Sequence, residues 1–450
     1  MINSRFSTFS FLATATVDES SSLGVVSILL SLIVIYFAAK LGGELCVRIK
    51  LPPVLSELVG GVILGISALN LLVFPETSPI ESSMLFQLLG RLSSINLESL
   101  TSVFQMQSQM ITNLAELGVI ILLFEIGLES DLKALLRVGS QATIVALVGV
   151  VVPFLLGTIG LVSFFSIPMI PAIFAGAALT ATSIGITAKV LSELGQLQST
   201  EGQIIIGAAV IDDILGILIL AVVTSLAKTG NVELSHLVYL VVSAAIFLIG
   251  AVWFGRFLSP FFVSIVNQMQ TRGQLLISAL IIAFVLADIA SLIHLEAILG
   301  AFAAGLILAE TEKRGVLMEQ IKPIADMLVP IFFVVIGART DLSVLNPFVA
   351  ENHQSLIIAA FLIVVAVLGK VVTGFSVLGE SGVNRWAIGV GMIPRGEVGL
   401  VFAAVGSASG VLPQSLNAAI IVMVILTTFL APPGLRAAFA QTGEISQASG

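Results

Sequence analysis

Charged side chains are scarce in this chain. Asp, Glu, Lys and Arg together make up 10% of its 450 residues, against about 25% in an ordinary soluble domain. Hydrophobic residues make up 57%, and the mean hydropathy is +1.13. This composition excludes a sizeable soluble domain. The net charge of −8 is spread over the loops and gives no reason to expect a nucleic-acid partner. We expect an integral protein of the lipid bilayer.

Cysteine is nearly absent as well. Cys46 is the single cysteine, which excludes an intrachain disulfide. The chain also lacks the short alternating segments that are typical of a transmembrane β-barrel. It contains instead many apolar blocks of the length, about 20 residues, that a helix needs to cross a bilayer. The expected fold class is therefore all-α and polytopic.

The apolar blocks predict thirteen transmembrane helices, which we call spans 1 to 13. They lie at about 22–43, 51–72, 109–129, 141–165, 168–192, 202–227, 234–258, 273–293, 294–311, 321–343, 354–380, 384–407 and 412–434. Residues 1–21 are interpreted as a disordered lead-in or, alternatively, as a weak signal peptide. Residues 436–450 are expected to form a short tail.

The positive charges predict the orientation of the spans. Thirteen of the nineteen Lys and Arg residues fall after odd-numbered spans or at the C-terminus, and four lie on the opposite side. Because positive loops stay on the cytoplasmic side, the N-terminus is expected outside and the C-terminus in the cytoplasm. The remaining two, Lys370 and Arg395, fall inside spans.

The two halves of the chain resemble each other. Residues 51–64 align with 295–308, so that Gly61 corresponds to Gly305. Residues 123–132 align with 333–342, so that Gly127 corresponds to Gly337. A third and weaker match joins spans 5 and 12.

These matches predict two six-helix repeats at 22–227 and 273–434, joined by a linker helix at 234–258. Because the linker is a single crossing, the second repeat enters the membrane from the opposite face. Inverted repeats of this kind are typical of secondary transporters. A long outside loop at about 73–108 has no counterpart in the second half.

Two adjacent aspartates, Asp212 and Asp213, stand inside apolar span 6. A carboxylate at this depth costs about 2.5–3.5 kcal/mol on insertion scales. Consecutive helix residues point about 100° apart, so one carboxylate can face a cavity and the other a protein partner. Adjacent carboxylates also repel, which suits exchange of a proton for a hard monovalent cation. A purely structural ion pair with Lys370 or Arg395 is the alternative.

Interruptions are expected in spans 5 and 12, at matched positions of the two repeats. Span 5 carries the hydroxyl cluster Thr180–Thr187, and span 12 carries Gly389–Gly399 with Pro394 inside it. Matched broken helices indicate a transport site, and Arg395 and Glu397 could compensate the charges of the half-helix ends. Alternatively, residues 394–396 form a surface turn.

Together these stretches resemble the cation:proton antiporter superfamily over about residues 22–435. The resemblance is to its second branch, which includes bacterial sodium/proton antiporters, some of them cyanobacterial. It rests on the aspartate pair and on three further motifs: Pro52–Gly61, Leu122–Glu129 and Phe332–Gly337.

The resemblance implies the sodium/proton antiporter fold, with crossed broken helices. It implies a core domain of spans 4–6 and 11–13, and a dimerisation domain of spans 1–3 and 8–10 that makes a homodimer. Asp213 would bind Na⁺ or a proton, and Asp212 would pair with Lys370. Thr182 and Glu397 would lie in the unwound parts of spans 5 and 12. Arg395 is a departure, since it is typical of the first, usually electroneutral, branch.

We therefore expect an electrogenic Na⁺/H⁺ antiporter that works by alternating access. It would carry Na⁺, or Li⁺ or K⁺, and would have no cofactor and no enzymatic activity. The alternatives are a K⁺/H⁺ antiporter of the potassium efflux type and a sodium-coupled organic anion symporter. An intramembrane aspartyl protease needs two aspartates on separate helices and fits poorly. The expected location is a bacterial plasma membrane, or a thylakoid membrane if the source is cyanobacterial.

Overall fold

The protein is described here from a computed structural model, which covers residues 3–49, 51–75, 77–92, 97–229, 234–346, 348, 352–377 and 382–448. Within these ranges all regular secondary structure is helical, and there is no strand. The helices are α1 Asn3–Arg48, α2 Pro53–Leu64, α3 Met84–Leu92, α4 Leu97–Glu129, α5 Leu132–Arg137, α6 Gly139–Phe165, α7 Met169–Ala178, α8 Ile184–Glu193, α9 Thr200–Thr229, α10 Leu234–Gln268, α11 Gln274–Leu292, α12 Ala297–Ala309, α13 Arg314–Ala338, α14 Asn352–Phe375, α15 Arg385–Gly391, α16 Glu397–Ala408 and α17 Gln414–Ala448. Two 3₁₀ turns lie at Ile80–Ser82 and Leu342–Leu345.

Each of the thirteen predicted spans coincides with one helix or with a broken pair of helices. Eight of the described helices are long and apolar enough to cross a bilayer by themselves, and five shorter apolar helices accompany them. Spans 5 and 12 are the broken pairs, α7 with α8 and α15 with α16. The predicted all-α polytopic class is confirmed.

The segment expected as a long outside loop, 73–108, is instead mostly helical. It contains the first 3₁₀ turn, α3 and the first turns of α4. Its apolar side chains recur at helical spacing and bury one face, which forms a small core: Val73, Ile80, Leu85, Phe86, Leu89, Leu100, Val103 and Phe104. Membrane-length hydropathy does not detect such segments, because they are shorter than a membrane crossing and polar residues interrupt their apolar runs.

Both end helices are longer than predicted. α1 begins at Asn3, within the expected lead-in, and its membrane-length apolar part is Ser22–Arg48. α17 continues through Ala448, across most of the expected tail. Ala, Gln and Glu near the C-terminus favour helix without being apolar, so hydropathy alone places the helix end too early.

The described chain divides into two compact units. The first comprises Met1–Val119 and Asp326–Ser343, and the second comprises Ile120–Ala325 and Val344–Gly450. In the first unit, α2 crosses α13 at Gly61 and Gly337. A Cβ added to Gly61 would lie 2.2 Å from the carbonyl oxygen of Val334, and one added to Gly337 would lie 2.1 Å from that of Leu58.

The second unit contains the corresponding crossing of α4 with α12. A Cβ on Gly127 would lie 2.3 Å from the carbonyl oxygen of Phe302, and one on Gly305 would lie 2.2 Å from that of Phe124. The repeat alignment pairs Gly61 with Gly305 and Gly127 with Gly337, so exchanging the two repeats converts one crossing into the other. The fold is therefore two inverted repeats, as predicted.

The second unit contains both broken helices, and its apolar core includes one half of each, α7 and α16. Side chains of α6, α7, α9, α14, α16 and α17 form this core, and Phe174, Leu179, Phe402, Leu416 and Met423 are among its fully buried members. Such close packing holds the irregular backbone of the breaks away from lipid, where unpaired amides and carbonyls would be costly.

Candidate functional site

Two helix breaks meet inside the second unit. The first lies at residues 179–183, between α7 and α8, and the second at 392–396, between α15 and α16. The amide of Ser183 donates to the carbonyl oxygen of Pro394 at 2.8 Å. A Cβ on Gly396 would lie 2.7 Å from Oγ of Ser183. The two broken helices therefore cross at their interruptions, and glycine at 396 allows the close approach.

Hydroxyl groups of span 5 satisfy carbonyls freed in span 12. Oγ1 of Thr182 donates to the carbonyl oxygen of Met392 at 3.2 Å, and Oγ1 of Thr187 donates to that of Gly391 at 3.0 Å. Both threonines are buried. The hydroxyl cluster thus replaces helix hydrogen bonds that the break removes. Thr182, a predicted cation ligand, is placed in the break and bonded to span 12.

Arg395 is fully buried at the crossing, which excludes the surface-turn interpretation of residues 394–396. Its Nη1 donates to the carbonyl oxygen of Ala181 at 2.6 Å, and its Nη2 to that of Leu179 at 2.5 Å. Both carbonyls lie in the break just past the C-terminal end of α7. The guanidinium therefore compensates the partial negative charge of that half-helix end. Thr428 of α17 in turn donates its hydroxyl to the carbonyl oxygen of Arg395.

The aspartate pair lies on α9, next to these breaks in the same unit. Both residues are buried: Asp212 has no exposed surface, and Asp213 is 3% exposed. Nζ of Lys370, on α14, donates to Oδ2 of Asp212 at 2.9 Å. The charge of Lys370 interacts with Asp212, Asp213 and Arg395, so that two carboxylates and two cations share one electrostatic centre.

The pairing leaves part of Asp212 unsatisfied. Among the described side chains, Oδ1 of Asp212 has no hydrogen-bond partner. A buried carboxylate oxygen without a donor is costly, and the site can lower that cost by admitting a cation, a proton or water. The ion pair with Lys370 therefore satisfies only one of the two oxygens of Asp212.

Of the predicted site residues, the structure brings Asp212 into direct contact with Lys370. It places Asp213 next to that pair and Arg395 within electrostatic range of Asp212. Glu397 is the first residue of α16, but its side chain lies outside the described residues, so its predicted compensating role stays a prediction.

Two residues of the site were not predicted from the sequence. Thr428 looks like an ordinary hydroxyl in an apolar helix, and its bond to the backbone of Arg395 depends on the fold. Gly149 of α6 lies against Lys370, since a Cβ there would be 3.2 Å from Nζ. A glycine in a membrane helix indicates close packing in general but does not identify the neighbour.

Residues 28–441 match the family described as "Sodium/hydrogen exchanger, transmembrane". The chain is 64% identical over 429 residues to the High-affinity Na(+)/H(+) antiporter NhaS3 of Synechocystis sp., covering 95% of this chain and 93% of that relative. It is 34% identical over 427 residues to the Na(+)/H(+)-K(+) antiporter GerN of Bacillus cereus, covering 92% and 97% respectively.

The fold is also similar to that of a solved antiporter. The sodium proton antiporter MjNhaP1 from Methanocaldococcus jannaschii superposes with a TM-score of 0.60 at 16% identity, covering 91% of this chain and 95% of that one. At that identity the similarity shows only that the two proteins share a helical fold. Because the family match spans nearly all thirteen helices and both broken pairs, this protein is a member of the sodium/hydrogen exchanger family.

Proposed function

We propose that this membrane protein exchanges Na⁺ for H⁺ as a secondary active antiporter, by alternating access. One observation carries the proposal: a fully buried Asp212–Lys370 pair stands beside Asp213, in the unit where two interrupted helices cross. Family membership and the 64% identity to a Na⁺/H⁺ antiporter support the same ions.

Asp213 is the proposed exchanging carboxylate. A charged carboxylate in an apolar interior is costly, and either one proton or one Na⁺ lowers that cost. Because one carboxylate cannot hold both, the two ions compete for it. Competition at a site that opens to one side at a time couples the movement of one ion to the return of the other.

Lys370 and Asp212 supply a second proton-linked step. When Na⁺ enters beside Asp213, Asp212 offers it a second carboxylate, and the lysine pair must then open. If Lys370 gives up its proton at that point, two protons return for each Na⁺, and the cycle moves one net charge. This net charge is the basis for proposing electrogenic exchange. Arg395, which is typical of the usually electroneutral first branch, is the feature that argues for electroneutral exchange instead.

The larger movements are proposed from the family resemblance. Spans 4–6 and 11–13 would carry the site between the two sides of the membrane, and spans 1–3 and 8–10 would hold a homodimer in place. The charge bias supports an N-terminus outside and a C-terminus in the cytoplasm. The identity to a protein of Synechocystis sp. makes a cyanobacterial plasma or thylakoid membrane the proposed location.

Potassium is the second candidate ion. The relative from Bacillus cereus is described as a Na(+)/H(+)-K(+) antiporter, and it matches 92% of this chain. The carboxylates alone do not distinguish the two cations, since both ions prefer oxygen ligands. K⁺/H⁺ exchange at the same site is therefore the alternative activity to measure.

Reconstitution in liposomes that contain a pH-sensitive dye tests the proposal. An outward Na⁺ gradient should drive protons into the vesicles and acidify their interior, and an outward K⁺ gradient in its place should drive less. Asp213→Asn should abolish the exchange while the protein remains folded. Asp288→Asn, an exposed aspartate of α11, is the matched control and should leave exchange unchanged.

Exchange that survives Asp213→Asn would remove Asp213 from the mechanism. Equal or faster exchange with K⁺ would replace sodium by potassium as the substrate. Measuring the same exchange with and without an imposed membrane potential tests electrogenicity, because only a charge-moving cycle responds to the potential.

A further inference from the structure

Gly149 of α6 gives the ammonium of Lys370 access to a helix backbone. A Cβ added to Gly149 would lie 3.2 Å from Nζ and 3.6 Å from Cδ of Lys370, and 3.3 Å from Cγ2 of Thr373. Any other residue at 149 would place a side chain in this space. Lys370 therefore lies beside a part of α6 that carries no side chain, and its Nζ is also bonded to Asp212.

Pro153 lies four residues further along the same helix, inside α6. Proline has no amide hydrogen, so it cannot make the helix hydrogen bond to the carbonyl oxygen four residues earlier. That carbonyl belongs to Gly149. The covalent structure thus leaves, next to Lys370, a main-chain acceptor without its usual helix donor.

The proline and the glycine face the same neighbour. Residues four apart lie on one face of a helix. A Cβ added to Gly369 of α14 would lie 2.9 Å from Cγ of Pro153, so the proline ring packs against the residue before Lys370. Gly149, Pro153 and Gly369 thus form a close contact between α6 and α14 at the level of the lysine.

We propose that the Lys370 nitrogen has a second position, in which it has left Asp212 and donates an N–H to the carbonyl oxygen of Gly149. This rests on the proposed function, in which the pair opens as Na⁺ binds. Ammonium and amine both carry N–H donors, so the acceptor serves either protonation state. Gly149 and Pro153 are then positioning residues for ion exchange and do not touch the ion.

The second position lowers the free energy of the opened, Na⁺-bound state. Without it, the lysine nitrogen would leave Asp212 for a buried place with no acceptor, which is costly. Restoring an amide at 153 would satisfy the Gly149 carbonyl within the helix and withdraw it from Lys370. The paired state, which does not bind Na⁺, would gain population, and the apparent affinity for Na⁺ would fall.

The experiment measures Na⁺/H⁺ exchange in proteoliposomes, and Na⁺ binding to purified protein by calorimetry, for Pro153→Ala. The KM for Na⁺ and the dissociation constant should rise about fivefold, the effect of one neutral hydrogen bond, while the maximal rate changes little. Pro153→Ser and Pro153→Gly restore the same amide and should raise both constants equally. They provide the test if Pro153→Ala does not fold. Pro433→Ala restores an amide inside α17 and should change neither constant.

A double-mutant cycle separates positioning from packing. In Lys370→Met, or in Asp212→Asn/Lys370→Met if the single variant does not fold, Pro153→Ala should no longer change Na⁺ binding. An effect that persists without the lysine, or that follows side-chain size across the three substitutions, would overturn the proposal. So would constants within twofold of the unsubstituted protein. Absence of Na⁺/H⁺ exchange in the unsubstituted protein would instead refute the proposed function.

Discussion

Nζ of Lys370 lies 2.9 Å from Oδ2 of Asp212, and both side chains are completely buried. Neither charge can then be removed alone without leaving the other in an apolar interior. The pair joins α9 of the first repeat to α14 of the second. One contact therefore links the two halves of the fold at the proposed transport site.

Removing the lysine should therefore be costly. Lys370→Met leaves Asp212 without its cation, and we expect a loss of about 3–5 kcal/mol in the free energy of unfolding. Asp212→Asn/Lys370→Met should recover most of that loss, because no unpaired charge remains. Thermal unfolding in detergent measures both. A double variant no more stable than the single one would contradict the ion-pair account.

Arg395 should not be replaceable by lysine. The guanidinium reaches two carbonyl oxygens, those of Leu179 and Ala181, whereas an ammonium lacks the fork that holds both. Arg395→Lys should lower stability by about 1.5–3 kcal/mol, the value of one hydrogen bond to a charged group, and should slow exchange. Arg385→Lys, at the exposed start of α15, is the control and should behave like the unsubstituted protein.

Thr428 and its neighbour Thr427 form a matched pair for testing the second break. Both hydroxyls bond to carbonyls of their own helix, but that of Thr428 also bonds to Arg395. Thr428→Val should reduce the exchange rate and cost about 1 kcal/mol more than Thr427→Val. Equal effects of the two substitutions on both measurements would show that the bond to Arg395 is unimportant.

The paired glycines should tolerate no side chain. In Gly61→Ala, Gly337→Ala, Gly127→Ala and Gly305→Ala the new methyl would meet backbone atoms of the crossing helix. Each should lose about 1–3 kcal/mol by overpacking. Gly315→Ala, where nothing lies within 4 Å, is the control. Because the repeats are equivalent, Gly61→Ala and Gly305→Ala should cost similar amounts in the same unfolding assay.

Much of this architecture could be predicted from the sequence because the bilayer imposes simple rules. Apolar length identifies the spans, and identities at fixed spacing identify the repeats. Asp212 and Lys370 stand out because charges are so rare in apolar helices. The same reasoning failed for residues 73–108, where short amphipathic helices do not reach membrane length.

Other parts of the site depend on tertiary contacts that no local pattern encodes. Arg395 could be selected as a buried cation, but its two carbonyl partners follow from how the breaks cross. Thr428 and Gly149 have unremarkable sequence neighbourhoods, and each acquires its role from a residue on another part of the chain, Arg395 for Thr428 and Lys370 for Gly149. Their types fit the site, yet many other threonines and glycines of the chain would have fitted equally well.

The paired glycine crossings also bear on how the chain is made. α2 and α4 each use a glycine to pack closely against a helix of the second half. The partner of α2 is α13, and the partner of α4 is α12. At about 5–20 residues per second, the ribosome delivers those partners roughly 10–50 s later. During that interval we expect the first repeat to lie in the membrane with these glycines facing lipid. A fragment that ends after the first repeat should therefore be a preferred substrate for membrane proteases.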